Sequence, residues 1–148
     1  MEVFQDYAYY YNAFYRDKDY AAESRQVDTL LKKYGNEIRK IINYGCGTGR
    51  HDIELSKLGY DCTGIDMSPL MIDIAEKNCS SMSVDIDFSV ADIRTYEPKT
   101  KYDAVISLFH VMSYQNSNDD ILSAFRSART ALDVGRIFLF DLWYGPGV

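Results

Sequence analysis

The sequence predicts a doubly wound, mostly parallel α/β sheet of about five strands, preceded by a helical lid. Three observations carry this. Apolar runs of strand length alternate with segments of helical period from residue 38 to residue 141. The first run, Ile41-Ile42-Asn43-Tyr44, breaks on glycines at alternate positions, Gly45, Gly47 and Gly49, and a helical pattern follows at once. Carboxylates, Asp66 and Asp92, stand at the ends of the second and third runs, on the edge where open α/β sheets gather their ligands.

Taken in order, residues 1–34 read as the lid and residues 35–148 as the core. The first twenty residues hold Tyr7, Tyr9, Tyr10, Tyr11, Tyr15 and Tyr20. Tyr7, Tyr11, Phe14 and Tyr15 keep helical spacing, so one aromatic face can pack on the core while hydroxyls reach a ligand. Arg16-Asp17-Lys18-Asp19 is a polar break. A helix over 20–34 follows, with Ala21, Val27, Leu30, Leu31 and Tyr34 on its buried side and Gly35 as its cap. Residues 38–44 form the first strand, and their near-continuous apolarity suits burial on both faces. The glycine loop opens a helix over 50–58.

The second strand is Cys62-Thr63-Gly64-Ile65-Asp66. Ser68 and Pro69 then start a helix, as N-cap and first helical residue. Residues 86–90 are a third, alternating strand and residues 102–107 a fourth. Asn118 or Asp119 caps a helix carrying Ile121, Leu122, Phe125, Ala128 and Leu132, and residues 136–141 are the fifth strand.

At 148 residues and 47% hydrophobic composition the chain is one domain with a real core. A formal charge of -6 argues against a nucleic-acid partner. Cys46, Cys62 and Cys79 lack metal-like spacing and fit free thiols in a cytoplasmic protein. No apolar run is long enough to span a bilayer, no basic-then-apolar leader opens the chain, and no metal-ligand cluster is evident.

Among chemistry-bearing residues, Asp66 follows the glycine loop by about 20 residues, the spacing at which a carboxylate accepts from ribose hydroxyls; the lesser alternative is a favourable charge beside the next helix. Asp92 can accept from an adenine amino group while Ile93 packs on the ring. Cys46 lacks a partner that would make it a nucleophile. His51 reads as a solvated or capping residue. His110, after the fourth strand, can take a proton from an attacking group or simply order its loop. A dinucleotide loop wants a third glycine where Arg50 stands, which argues against an oxidoreductase.

Asn43-Tyr44-Gly45-Cys46-Gly47-Thr48-Gly49 resembles the first motif of class I S-adenosylmethionine (SAM)-dependent methyltransferases. Gly64-Ile65-Asp66-Met67-Ser68 resembles the second, and Ala91-Asp92-Ile93 the adenine segment. Tyr11-Asn12-Ala13-Phe14-Tyr15, Lys18-Asp19-Tyr20 and Phe140-Asp141-Leu142-Trp143-Tyr144 resemble the branch that methylates amino groups of nucleotide-linked deoxysugars. The resemblance implies a Rossmann-like methyltransferase sheet and SAM as cofactor. It implies cofactor contacts at Tyr11, Tyr20, Asn43, Gly45, Cys46 and Gly47, then at Asp66, Met67, Asp92, Ile93 and Leu108. Tyr15 would lie near the transferring methyl and His110 near the acceptor, a small molecule such as an amino-sugar nucleotide.

Three features depart from that family. The first motif usually opens on Asp or Glu, which helps hold the methionine amino group, and here Asn43 offers an uncharged carbonyl. The turn before the fifth strand reads Val134-Gly135-Arg136 where Pro-Gly-Gly is usual. Five strands are counted where the family has seven. The fifth strand is then an apolar edge that invites pairing, in a fragment of a longer protein or in a short chain that dimerises. A rival reading is accordingly a SAM-binding or structural domain without activity that acts through association.

Overall fold

The computed structural model describes residues 15–142. Its elements are α1 (Tyr20–Tyr34), β1 (Lys40–Tyr44), α2 (Arg50–Lys57), β2 (Asp61–Asp66), α3 (Pro69–Met82), β3 (Asp87–Val90), β4 (Tyr102–Ser107), a 3-10 turn (Val111–Tyr114), α4 (Asn118–Ala131) and β5 (Leu132–Phe140). The five strands form one sheet in the order β3-β2-β1-β4-β5, and every pairing is parallel. The order reverses at β1, so the crevice between the two halves opens at the carboxyl ends of β1 and β4.

Alternation along the central strands divides the core. Ile41, Ala104 and Ile106 face α1 and α2 with Val27, Leu31 and Leu55. Ile42, Tyr44 and Val105 face α4 with Ala124, Ala128 and Ala131. A third cluster joins Ile53 of α2 to Ile72, Ala75 and Cys79 of α3 and to Phe88 of β3. Ile41, Ile42, Val105 and Ile106 are fully buried, as a central parallel strand covered on both faces requires.

Local chemistry sets the helix starts. Asp19 caps α1 by accepting from Ala22 N at 2.8 Å. Ser68 caps α3 by accepting from Met71 N at 3.3 Å, with Pro69 as the first helical residue. The cap of α4 is Ser117, not Asn118 or Asp119: Ser117 keeps extended backbone, and its hydroxyl accepts from Asp120 N at 3.1 Å.

Strand limits differ from expectation for tertiary reasons. β1 starts at Lys40, two residues late, because the Asp103 carboxylate of β4 accepts the N–H groups of Arg39 and Lys40 at 3.0 and 2.9 Å. β5 starts at Leu132, four residues early, since Tyr102 pairs with Leu132 while Ala104 already pairs with Ile137. The surplus residues bulge out at Gly135, whose φ is +81°. In the described sheet β5 is an edge strand. Phe138 and Phe140 meet Phe125 of α4 edge-on at 5.6 and 5.4 Å between ring centroids.

Candidate functional site

The loop between β1 and α2 is drawn toward β2, because Gly45 N and Cys46 N both donate to Ile65 O, at 2.8 and 2.9 Å. Gly45 needs its missing side chain: its φ is +79°, and a Cβ there would lie 2.6 Å from Val111 Cγ2. Gly47, at φ +55°, has nothing within 4 Å of a Cβ position. Among the described residues the loop is therefore open on that side, where a ligand can approach the backbone. Cys46 is buried among Ile53, Ile72 and Ala75, and burial pushes its thiol well above the usual cysteine range. That disfavours the thiolate a nucleophile needs.

Asp66 ends β2 directly beside this opening. Its Oδ2 accepts from Gly47 N at 3.0 Å and its Oδ1 from Ser68 N at 2.9 Å. Burial raises its pKa, and the two backbone N–H groups oppose that rise. A carboxylate has about four lone-pair sites, so Asp66 can hold the loop and still accept from two ribose hydroxyls. Met67, exposed at 64%, stands next to it at the mouth.

Asn43 and Asp52 are both buried, at 2% and 1% exposure. The Asn43 Nδ2–H donates to Asp52 Oδ2 at 2.9 Å. Asn43 Oδ1 is buried with no hydrogen-bond partner among the described residues. Burial, against the opposing Asn43 bond, pushes the Asp52 carboxyl up to about 7.

Asp92, just past the end of β3, is held by a neighbouring guanidinium. Arg94 clamps the Asp92 carboxylate: Nε lies 3.0 and 3.1 Å from its two oxygens and Nη2 lies 2.7 Å from Oδ2. Arg94 N donates to the same group at 2.9 Å, and Arg94 Nη1 ties it to Asp120 at 3.1 Å. The guanidinium holds Asp92 below its usual range. Ile93 is buried in the α4-face cluster.

The edge beyond β4 turns sharply. Phe109 and His110 both take left-handed backbone, with φ of +62° and +64°, a costly conformation for residues with side chains. Asp141, one residue past β5, accepts the N–H of Phe109 at 2.9 Å and of His110 at 2.6 Å. Its Oδ1 is also 3.9 Å from His110 Nδ1. Ser107, just before the corner, donates to Tyr44 O at 2.8 Å and ties β4 to β1. Leu108 packs against the cluster of Ile41 and Ile106.

The segment leading into α1 sits on this corner. Tyr15 meets Phe109 edge-on with centroids 5.0 Å apart. The Lys18 ammonium lies 3.4 Å from the Phe109 ring centroid and 5.2 Å from that of Tyr20, and it pairs with Glu23 at 3.3 Å. Tyr20 is itself buried and meets His51 edge-on at 4.9 Å between ring centroids. His51 is therefore neither solvated nor a cap. It is buried, its Nε2 lies 2.8 Å from Glu23 Oε2, and burial lowers its pKa. Tyr11 and most of the expected lid lie outside the described residues.

These groups fit SAM. Asp66 matches the ribose hydroxyls, the unpartnered Asn43 Oδ1 matches an ammonium donor, and the open side of Gly47 admits the backbone approach. Sequence reasoning missed Asp52, Arg94 and Asp141. Asp52 and Arg94 look in sequence like ordinary surface charges, and Asp141 entered only within a family motif. Among the described residues no His, Cys, Asp and Glu cluster could hold a metal, and no helix is long and apolar enough to cross a membrane. A groove lined by Leu31, Lys32, Gly35 and Tyr60 opens at the opposite ends of the strands and holds none of the site residues.

Known proteins resemble this chain in sequence and fold. A family model described as "Methyltransferase domain" matches residues 41–135. A dTDP-3-amino-3,4,6-trideoxy-alpha-D-glucopyranose N,N-dimethyltransferase of Streptomyces venezuelae is 29% identical over 143 residues, covering 95% of this chain and 59% of that protein. The crystal structure of Streptomyces venezuelae DesVI superposes with a TM-score of 0.84 at 28% identity, covering 93% of this chain and 58% of that one. The sugar N-methyltransferase KedS8 from Streptoalloteichus gives 0.81, also at 28% identity, covering 93% of this chain and 55% of that one. This chain thus spans somewhat over half the length of these relatives. The family match runs from β1 through the bulge of β5, taking in the glycine loop, Asp66 and Asp92, and the chain belongs to the methyltransferase domain family.

Proposed function

We propose that this chain binds SAM at the carboxyl edge of β1 and β2 and takes part in methyl transfer to the amino group of a nucleotide-linked sugar. The observation that carries the reading is the Asp66 carboxylate bonded to Gly47 N beside an open loop. The acceptor class is supported by the relatives named as dTDP-amino-sugar N,N-dimethyltransferases, at 29% and 26% identity.

The cofactor supplies an activated methyl on a sulfonium. What the protein must add is alignment of a neutral amine behind that carbon, which is worth several kcal/mol and up to about 7–11 in ideal cases. In this reading Gly45, Cys46 and Gly47 carry the backbone against the amino-acid portion. Asp66 holds the ribose, and Met67 and Leu108 flank the adenosine. Asp92, turned to Arg94, keeps a lone pair for the adenine amino group above Ile93. Tyr20 closes the wall behind the loop, and Tyr15, seated on Phe109, faces the transferring methyl. The lid role expected of residues 1–34, Tyr11 among them, over the core of residues 35–148 is part of this reading. His110 orients the acceptor and takes the proton the amine releases. The edge of β5 supports pairing with a second copy.

The test is a calorimetric titration of the chain with SAM, followed by mass spectrometry of dTDP-amino sugars incubated with both. Micromolar SAM binding and a methyl mass increment on the amine are expected. Failure of well-folded protein to bind SAM would overturn the reading and favour the association role. Binding without transfer would confine this chain to the cofactor half of the site.

A further inference from the structure

Beneath the glycine loop two polar side chains are buried in a way that packing does not explain. Asp52 is the third residue of α2 and is 1% exposed. It accepts the amide hydrogen of Asn43, and the other end of that amide, Oδ1, is buried with no partner among the described residues. A buried acceptor left unmade costs about 1–3 kcal/mol, and a buried carboxylate with no cationic partner costs more. Both costs fall if a cation seats against Asn43 Oδ1. The amide is planar, so a hydrogen bond from Nδ2 to α2 fixes Oδ1 on the side away from Asp52. A carboxylate on one end of an amide also polarises the other end toward negative charge.

We propose that Asp52 is a positioning residue for the cofactor. It orients Asn43 so that Oδ1 receives the ammonium of the cofactor's amino-acid portion, and it supplies through the amide the negative charge that Asn43 itself lacks. The pair divides between two residues what one carboxylate would do: Asn43 makes the contact and Asp52 carries the charge. This rests on the SAM reading above.

The experiment titrates wild type and variants with S-adenosylhomocysteine and with 5′-methylthioadenosine. Both are neutral thioethers of adenosine, and only the first carries the amino acid. Asp52→Leu is expected to weaken S-adenosylhomocysteine about tenfold or more and to leave 5′-methylthioadenosine nearly unchanged. Asp52→Asn keeps an oxygen for the Asn43 N–H and should fall between. The double variant Asn43→Asp with Asp52→Leu moves the charge to the contact and should recover the amino-acid ligand. Equal weakening of both ligands without recovery in the double variant, or no change in either, overturns the proposal. If Asp52→Leu does not fold, Asp52→Asn decides by the same selective loss. Wild type that binds 5′-methylthioadenosine with no preference for the amino acid overturns this inference and leaves the adenosine site standing. Wild type that binds neither overturns the SAM reading.

Discussion

The Asp141 carboxylate accepts the backbone N–H of His110 at 2.6 Å across 31 residues of chain. A second bond, from Phe109 N at 2.9 Å, completes a clamp on two consecutive left-handed residues. The clamp ties the end of β5 to the end of β4 and offsets the strain of the corner. Removing it with Asp141→Ala should lower the unfolding free energy by about 1–3 kcal/mol, read as a shift of the urea midpoint. Asp141→Asn retains one acceptor and should lose less. An unshifted midpoint in both would mean that the corner holds itself.

Asp66 closes the loop through Gly47 N and in the proposed reading also holds the ribose, so its loss should register in binding before stability. Asp66→Ala is expected to weaken SAM by more than about tenfold, as loss of a charged hydrogen-bonding partner does, with far-UV circular dichroism unchanged. Equal calorimetric affinities for variant and wild type would remove Asp66 from the site.

Tyr15 rests edge-on against Phe109, where its ring can pack without its hydroxyl. Tyr15→Phe keeps that packing and removes the oxygen. Methyl transfer should fall several-fold, on the scale of a lost hydrogen bond of about 1 kcal/mol, while SAM affinity stays within about twofold. Loss of both in parallel would make Tyr15 a packing residue.

Burial raises the Asp52 carboxyl to about 7 from an ordinary 3.8. Between those values the folded chain holds a proton that the unfolded chain has released. Stability therefore falls as pH rises through that interval, by an amount on the order of a few kcal/mol, and the loss is complete above about pH 7. Asp28, Asp92 and Asp103 are lowered when folded and act at more acidic pH with the opposite sign. Asp52→Asn keeps the shape and removes the titration. Its melting temperature should exceed that of wild type at pH 8 and approach it near pH 4. Parallel melting curves across that range would show that Asp52 does not carry the penalty.

The carboxylates of this edge were not equally legible in the sequence. Asp66 was legible because its spacing from Gly45 and its place at a strand end are one-dimensional facts. Asp52, six residues beyond Cys46 of the glycine loop, is as charged as any surface residue on paper. Only the packing of α2 against β1 turns it inward to Asn43. His51 went the same way, since the Tyr20 and Glu23 partners that bury it come from α1.

By itself the sequence determined the alternation of strands and helices, the glycine loop, the Ser68-Pro69 helix start and the carboxylate at the end of β2. Each depends on periodicity or on contacts within a few residues, which the order of side chains dictates directly. Only the tertiary structure decided the bulge that lengthens β5, the Arg94 clamp joining Asp92 to Asp120, the Asp141 corner and the buried Asn43–Asp52 pair. These join positions on different elements, and only the packing of the elements brings those partners together.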